Sequence, residues 1–242
     1  MESSRHLIKL RNISYQYPGG KTVLDQLDFT LTQGDRIGLV APNGSGKTTL
    51  LHVIMGLLKA SSGTIEIFGK ERRHENDFAE VRRRIGLLFQ DADDQLFSPT
   101  VIEDVAFGPL NLGKSKQEAL AISRHTLDFL GLTGFENRIT YKLSGGEKRL
   151  VSLAAVLAMQ PRVLLLDEPS NALDSAMKAR LIRILQKLEL TYILISHEFD
   201  LLSQTADQFH TMANGKIFKD EHEQVHTHQH AHIVGKQPHK HL

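Results

Sequence analysis

The sequence predicts an α/β protein whose core is a largely parallel sheet with helices on both faces. Apolar runs at residues 36–41, 64–68, 85–89, 163–167 and 192–196 are read as continuous rather than alternating, the pattern of strands covered on both sides. Helical periodicity follows several of them, over residues 47–58, 150–159 and 176–188, so strand and helix alternate along the chain. Between about 91 and 160 that rhythm breaks: helical patterns at 101–107, 116–130 and 147–159 dominate and little reads as strand. This predicts a helical subdomain inserted into the α/β core. The expected organisation is one unit over residues 1–220 followed by a histidine-rich tail over 221–242.

Bulk properties narrow the class. A chain of 242 residues can bury one large core with a smaller subdomain, and 40% hydrophobic with 24% charged residues is ordinary for a soluble globular protein. A net charge of +1 gives no field directed at nucleic acid or an acidic membrane surface. Cysteine is absent, which excludes disulfides and thiolate metal sites. The opening Met1-Glu2-Ser3-Ser4-Arg5-His6 is polar, unlike a signal peptide. The longest nearly apolar stretch, 150–159, is too short to span a bilayer. Work at a membrane would require docking onto helices of other subunits.

The first strand-to-helix junction carries chemistry. Ala41-Pro42-Asn43-Gly44-Ser45-Gly46-Lys47-Thr48-Thr49 follows a predicted strand and opens a predicted helix, the context in which a phosphate-loop match is meaningful. Gly44 and Gly46 let successive N–H groups turn inward toward phosphate oxygens, and the helix N-terminus adds positive potential. Lys47 is expected to reach the β- and γ-phosphates and Thr48 to offer its hydroxyl to Mg²⁺. Ala41 stands where the usual pattern has glycine, so this position must take a backbone conformation that a Cβ tolerates.

Two further strand ends belong with it. The run 163–167 closes on Asp167-Glu168-Pro169. Beside a phosphate loop, Asp167 is expected to hold Mg²⁺, and Glu168 to polarise the attacking water as general base. The run 192–196 is followed by His197, expected to hydrogen-bond the γ-phosphate and the attacking water. Leu143-Ser144-Gly145-Gly146-Glu147 precedes a helix. Ser144 with Glu147 forms a capping-box pattern, while the two glycines expose bare backbone that a ligand can approach closely.

Together with the phosphate loop, Leu143-Ser144-Gly145-Gly146-Glu147 resembles the signature motif of ABC ATPases, and the resemblance runs to about Asp220. It implies a P-loop NTPase core with an inserted helical subdomain and an antiparallel N-terminal β region, binding ATP and Mg²⁺. It further implies that Tyr17 stacks on adenine and that Gln90 touches Mg²⁺ and senses a membrane partner. Residues 170–174 correspond to the D-loop, and His197 to the switch histidine. In this family the signature loop of one subunit covers ATP held by another. The implied unit is therefore a dimer, homo- or heteromeric, with Ser144, Gly145, Gly146 and Glu147 serving the opposite subunit, on transmembrane coupling and substrate-binding components at the cytoplasmic face of the membrane.

The string Phe89-Gln90-Asp91 through Gln95-Leu96-Phe97-Ser98-Pro99, with Glu103-Asp104-Val105-Ala106-Phe107-Gly108-Pro109, is similar to ATPases of energy-coupling-factor (ECF) transporters. That group imports cobalt, nickel and many vitamins, and in it this region forms a groove for a coupling helix. Seven of the 13 histidines fall in the last 21 residues. His226, His228, His230 and His232 alternate, and in an extended segment they share one face. Imidazoles so placed suit Ni²⁺, Co²⁺ or Zn²⁺. Three functions stay open at this point: an ATPase driving import of nickel or cobalt, the same ATPase serving a vitamin or other small molecule, and a metal-storage or metallochaperone protein acting through the tail.

Overall fold

Strand pairing divides the β structure of the computed structural model, which describes residues 6–219, into two sheets. The first is antiparallel, in the order β2-β1-β4-β5, from β1 (His6–Gln16), β2 (Thr22–Thr32), β4 (Ser62–Ile67) and β5 (Lys70–Glu71). The second, in the order β10-β9-β3-β8-β7-β6, contains β3 (Arg36–Val40), β6 (Ile85–Leu88), β7 (Val163–Asp167), β8 (Thr191–Ile195), β9 (Gln208–Ala213) and β10 (Lys216–Lys219). It is parallel except for the β9–β10 hairpin. The α/β core with an antiparallel N-terminal β region is therefore present.

One strand sits elsewhere than predicted. The run 64–68 reads as a two-faced core strand, but β4 pairs with β1 in the antiparallel sheet and only alternate residues, Ile65 and Ile67, are buried. Thr64 and Glu66 between them mark a strand with one buried face.

Strands β6, β7 and β8 of the second sheet do bury both faces. Val163, Leu165, Ile193 and Ile195 pack with Leu50, Leu51 and Ile54 of α1 (Lys47–Ile54) and with the antiparallel sheet. Their neighbours Leu164, Leu166, Tyr192 and Leu194 pack on the other face. There they meet α5 (Gly145–Ala158), α6 (Ser175–Lys187) and α7 (Phe199–Thr205). Helix α1 stops short of the predicted residue 58, where Gly56 takes φ 68° beside the Phe78 ring. Phe78 belongs to α2 (Glu75–Arg82).

Between β6 and β7 the described chain is helical: α3 (Val101–Asn111), α4 (Lys116–Phe129), a 3₁₀ turn (Thr140–Lys142) and α5. Capping boxes start α3, α4 and α5 at Thr100/Glu103, Ser115/Glu118 and Ser144/Glu147, closing amides that would otherwise lack acceptors. Buried Asp104 fastens the preceding loop, accepting from the N–H groups of Phe97 (3.0 Å) and Ser98 (2.8 Å) and from Thr140 Oγ1 (3.0 Å).

Register gathers the strand ends. Leu39 of β3 and Asp167 of β7 both lie opposite Ile195 of β8, and Leu88 of β6 lies opposite Leu166. The carboxyl ends of four parallel strands thus meet on one edge, where open α/β sheets bind ligands.

Candidate nucleotide site

The loop from β3 to α1 has the geometry its glycines predict. Gly44 and Gly46 take φ 76° and 101°, values that disfavour a Cβ. Ala41 is not among the positive-φ residues and is buried, so its methyl faces no backbone penalty. Lys47 Nζ donates back to the Ala41 carbonyl (2.9 Å) and Asn43 Oδ1 (3.4 Å), while Ser45 N–H donates to Pro42 O (3.2 Å). The N-terminus of α1 carries no side-chain cap, and Ser45 Oγ is buried without a hydrogen-bond partner. Bare amides and an orphan hydroxyl around a left-handed glycine form a cradle for phosphate oxygens.

Thr48 Oγ1 donates to Asp167 Oδ2 at 2.7 Å, whereas Asp167 Oδ1 is buried with no partner. Burial pushes the Asp167 pKa up, against the Thr48 hydrogen bond that favours its ionised form. A desolvated carboxylate oxygen beside a hydroxyl is a hard-oxygen donor set suited to Mg²⁺. Asp167 and Thr48 therefore fit the predicted ion. No cluster of three or more His, Cys, Asp or Glu suited to a metal occurs among the described residues. His226, His228, His230 and His232 lie outside them.

Glu168 is buried and takes φ 48°. Its Oε1 lies 3.5 Å from Lys47 Nζ and its Oε2 lies 3.0 Å from His197 Nδ1. The His197 side chain is 66% exposed, so it lies open to a ligand while one nitrogen faces the carboxylate. Sequence reasoning placed these three residues at one sheet edge, and they are in contact.

The other predicted residues surround this centre. The Tyr17 hydroxyl lies 3.1 Å from Thr49 Oγ1, and its ring meets Tyr15 edge-on at 4.9 Å. Gln90, Thr48 and Gly145 line one cleft of about 560 Å³ together with Asp91, Lys148 and Asn171. At the N-terminus of α5, Ser144 Oγ accepts from Glu147 N–H (3.3 Å) and Glu147 Oε2 from Ser144 N–H (2.9 Å). Glu147 Oε1 also receives Arg138 (2.9 Å). Neither Gly145 nor Gly146 has positive φ. A Cβ on either would meet only ordinary contacts, 3.5 Å to Ala172 and 3.4 Å to Leu173. Packing within this chain does not require these glycines.

A second group joins Ser170 of the expected D-loop to residues that the sequence does not single out. Ser170 Oγ and Lys178 Nζ both donate to Glu198, at 2.8 and 2.7 Å, tying the loop after Glu168 to the residue beside His197. Arg149 is buried among backbone carbonyls of 89–90 and 167–169.

Comparison with known proteins agrees with this geometry. Residues 24–171 match the ABC transporter family. A putative ABC transporter ATP-binding protein of Nitratidesulfovibrio vulgaris is 50% identical over 97% of this chain and 86% of its own. The energy-coupling factor transporter ATP-binding protein EcfA of Methanocaldococcus jannaschii is 40% identical over 89% of this chain and 78% of its own. Among solved structures, the dimeric post-hydrolysis state of the ATP-binding cassette MJ0796, bound to ADP and Pi, superposes with a TM-score of 0.80. It is 26% identical, over 88% of this chain and 98% of that one. The chain belongs to the ABC transporter family as an ATP-binding, ATP-hydrolysing subunit, with ECF ATPases among its relatives.

Proposed function

We propose that this ATPase drives an ECF-type importer as one half of a two-ATP dimer. The observation that carries the reading is Glu168, a buried carboxylate held between Lys47 and His197 next to the orphan oxygen of Asp167. Lys47 Nζ lies 3.5 Å from Glu168 Oε1 and pairs with it. When ATP enters, its phosphates draw Lys47 to the cradle of Ala41, Pro42, Asn43, Gly44, Ser45 and Gly46, and Tyr17 stacks on the adenine. Glu168 then accepts the proton of the water that attacks the γ-phosphorus, and ADP leaves as the γ-phosphoryl group becomes inorganic phosphate. His197 orients that water and the γ-phosphate. Thr48, Asp167 and Gln90 would hold Mg²⁺, which would neutralise charge on the phosphates.

The second subunit covers the nucleotide. Ser144, Gly145, Gly146 and Glu147 are assigned to the ATP of the opposite subunit, where glycines unneeded for packing at home admit a close approach by phosphate oxygens. A groove of about 320 Å³ containing Leu57, Phe97 and Phe107, with Phe97 66% exposed and the two phenyl rings edge-on at 4.7 Å, is the proposed seat of the membrane component's coupling helix. On this reading the subunit works at the cytoplasmic face of the membrane.

Glu168→Gln tests the reading. It should lower turnover at least about a hundredfold, the scale of a lost general base, and leave an ATP-bound dimer visible by size-exclusion chromatography. Normal turnover in that variant would overturn it. The cargo we assign is nickel or cobalt, supported by the alternating tail histidines. ATPase activity of the assembled complex should respond to those metals, and a response to a vitamin instead would reassign the cargo.

A further inference from the structure

Arg149 lies one turn into α5, the helix whose N-terminus is assigned to the opposite subunit, and only 3% of it is exposed. Its five N–H groups face five backbone carbonyls. Nε donates to Pro169 (3.2 Å), Nη1 to Phe89 and to Gln90 (3.2 Å), and Nη2 to Asp167 (2.6 Å) and Glu168 (2.7 Å). Every donor of the guanidinium has an acceptor. Burial pushes the Arg149 pKa down to about 10, while Asp167, Asp91 and Glu168 support the charge. The group is therefore cationic at neutral pH.

The arrangement of acceptors carries the inference. Two are the consecutive carbonyls of Asp167 and Glu168, both turned toward Nη2. In an extended strand consecutive carbonyls point to opposite sides, so the chain must turn between them. Glu168 makes that turn with φ 48°. A non-glycine residue persists in this region only where its surroundings over-determine it, and the forked guanidinium does so from outside the turn. The same backbone turn accompanies the Glu168 carboxylate lying between Lys47 and His197. The Nη1 donors meanwhile hold Phe89 and Gln90, where the segment leading to the Phe97–Phe107 groove begins.

We infer that Arg149 is a positioning residue that sets the Glu168 backbone for hydrolysis and ties it to the Gln90 segment and to the helix serving the opposite subunit. Through this tie, displacement of the groove or of the partner-facing helix moves the general base of the chain's own site. The inference rests on Glu168 being that base. A lysine cannot replace the fork, because its donors radiate from one atom and do not reach carbonyls on both sides.

The test uses the assembled transporter carrying Arg149→Lys. ATP-competent sites are titrated with a fluorescent non-hydrolysable ATP analogue, so that any unfolded fraction drops out of the rate. The expected result is a kcat per competent site lowered about a hundredfold, the scale of a misplaced reacting group. Analogue Kd and the KM for ATP should stay within about threefold, because the phosphate cradle is untouched. Arg149→Gln, neutral and still a donor, repeats the measurement without burying an ammonium. Turnover per site within about threefold of wild type in either variant would overturn the inference, as would equal losses of binding and turnover. Normal turnover in Glu168→Gln alongside a slow Arg149→Lys would strike the base assignment, and with it the claim that Arg149 acts through that base.

Discussion

Two helices of this protein point their N-termini at phosphate in the proposed dimer, and they are built in opposite ways. Helix α1 begins after Gly46 in a left-handed conformation, with no side-chain cap and no acidic residue in its first turn. Helix α5 begins with a closed capping box of Ser144 and Glu147, reinforced by Arg138. An uncapped end leaves its amides without acceptors, which is tolerable at α1 because buried Leu50, Leu51 and Ile54 hold the helix by packing. The end of α5 is more exposed, and the capping box completes it in the absence of a ligand. In the proposed dimer one end serves the nucleotide the chain carries, and the other a nucleotide that arrives with a partner.

Placing the same methyl group at both ends is the sharpest way to break that contrast. In Gly46→Ala the new Cβ would sit 2.9 Å from Val23 Cγ1 and 3.1 Å from the Val23 carbonyl, at φ 101°. Strain of about 2 kcal/mol on the cradle corresponds to roughly a 30-fold loss of ATP affinity in the isolated chain. Gly145→Ala meets only the Ala172 Cβ at 3.5 Å. It should leave ATP binding by the isolated chain unchanged and lower turnover of the assembled dimer about tenfold, one lost close approach being worth about 1.4 kcal/mol. Isothermal titration and steady-state hydrolysis separate the two. Equal losses of binding by the isolated chain would mean that both glycines serve the same site.

The local parts of this contrast were legible in the sequence, because each rests on residues a few positions apart. Glycine at 44 and 46, Ser144 three residues before Glu147, and carboxylates closing an apolar run all act within one turn or one strand end. The N-terminal strands β1 and β2 were harder to see. Asn12 and Gln26 take φ 51° and 47°, and register shifts such as that between Leu10 and Ile13 break the period-2 pattern that marks a strand. Arg149 left one trace. It stands four residues before Leu153 and seven before Val156, both buried, so its position on the apolar face of α5 was readable. Its acceptors were not, since they lie as far as 60 residues away and are backbone atoms, on which residue identity is silent.

The smallest expected effect concerns the α5 end alone. The Ser144 N–H, against an opposing effect of burial and with help from the Ser144 side chain and Arg138, holds the Glu147 carboxyl below its ordinary 4.5. A group with a depressed folded-state pKa contributes stability that is complete above the unfolded value and lost as pH falls through the folded one. Wild-type protein should therefore lose more urea stability between about pH 5 and about pH 3 than Glu147→Gln, whose amide does not titrate. ATP binding by the isolated chain should show no such difference, because the proposed dimer assigns Glu147 to the end that serves the partner. Superimposable stability profiles would mean that the capping box is open in solution. The two helix ends would then differ in sequence but not in how they are finished before ATP arrives.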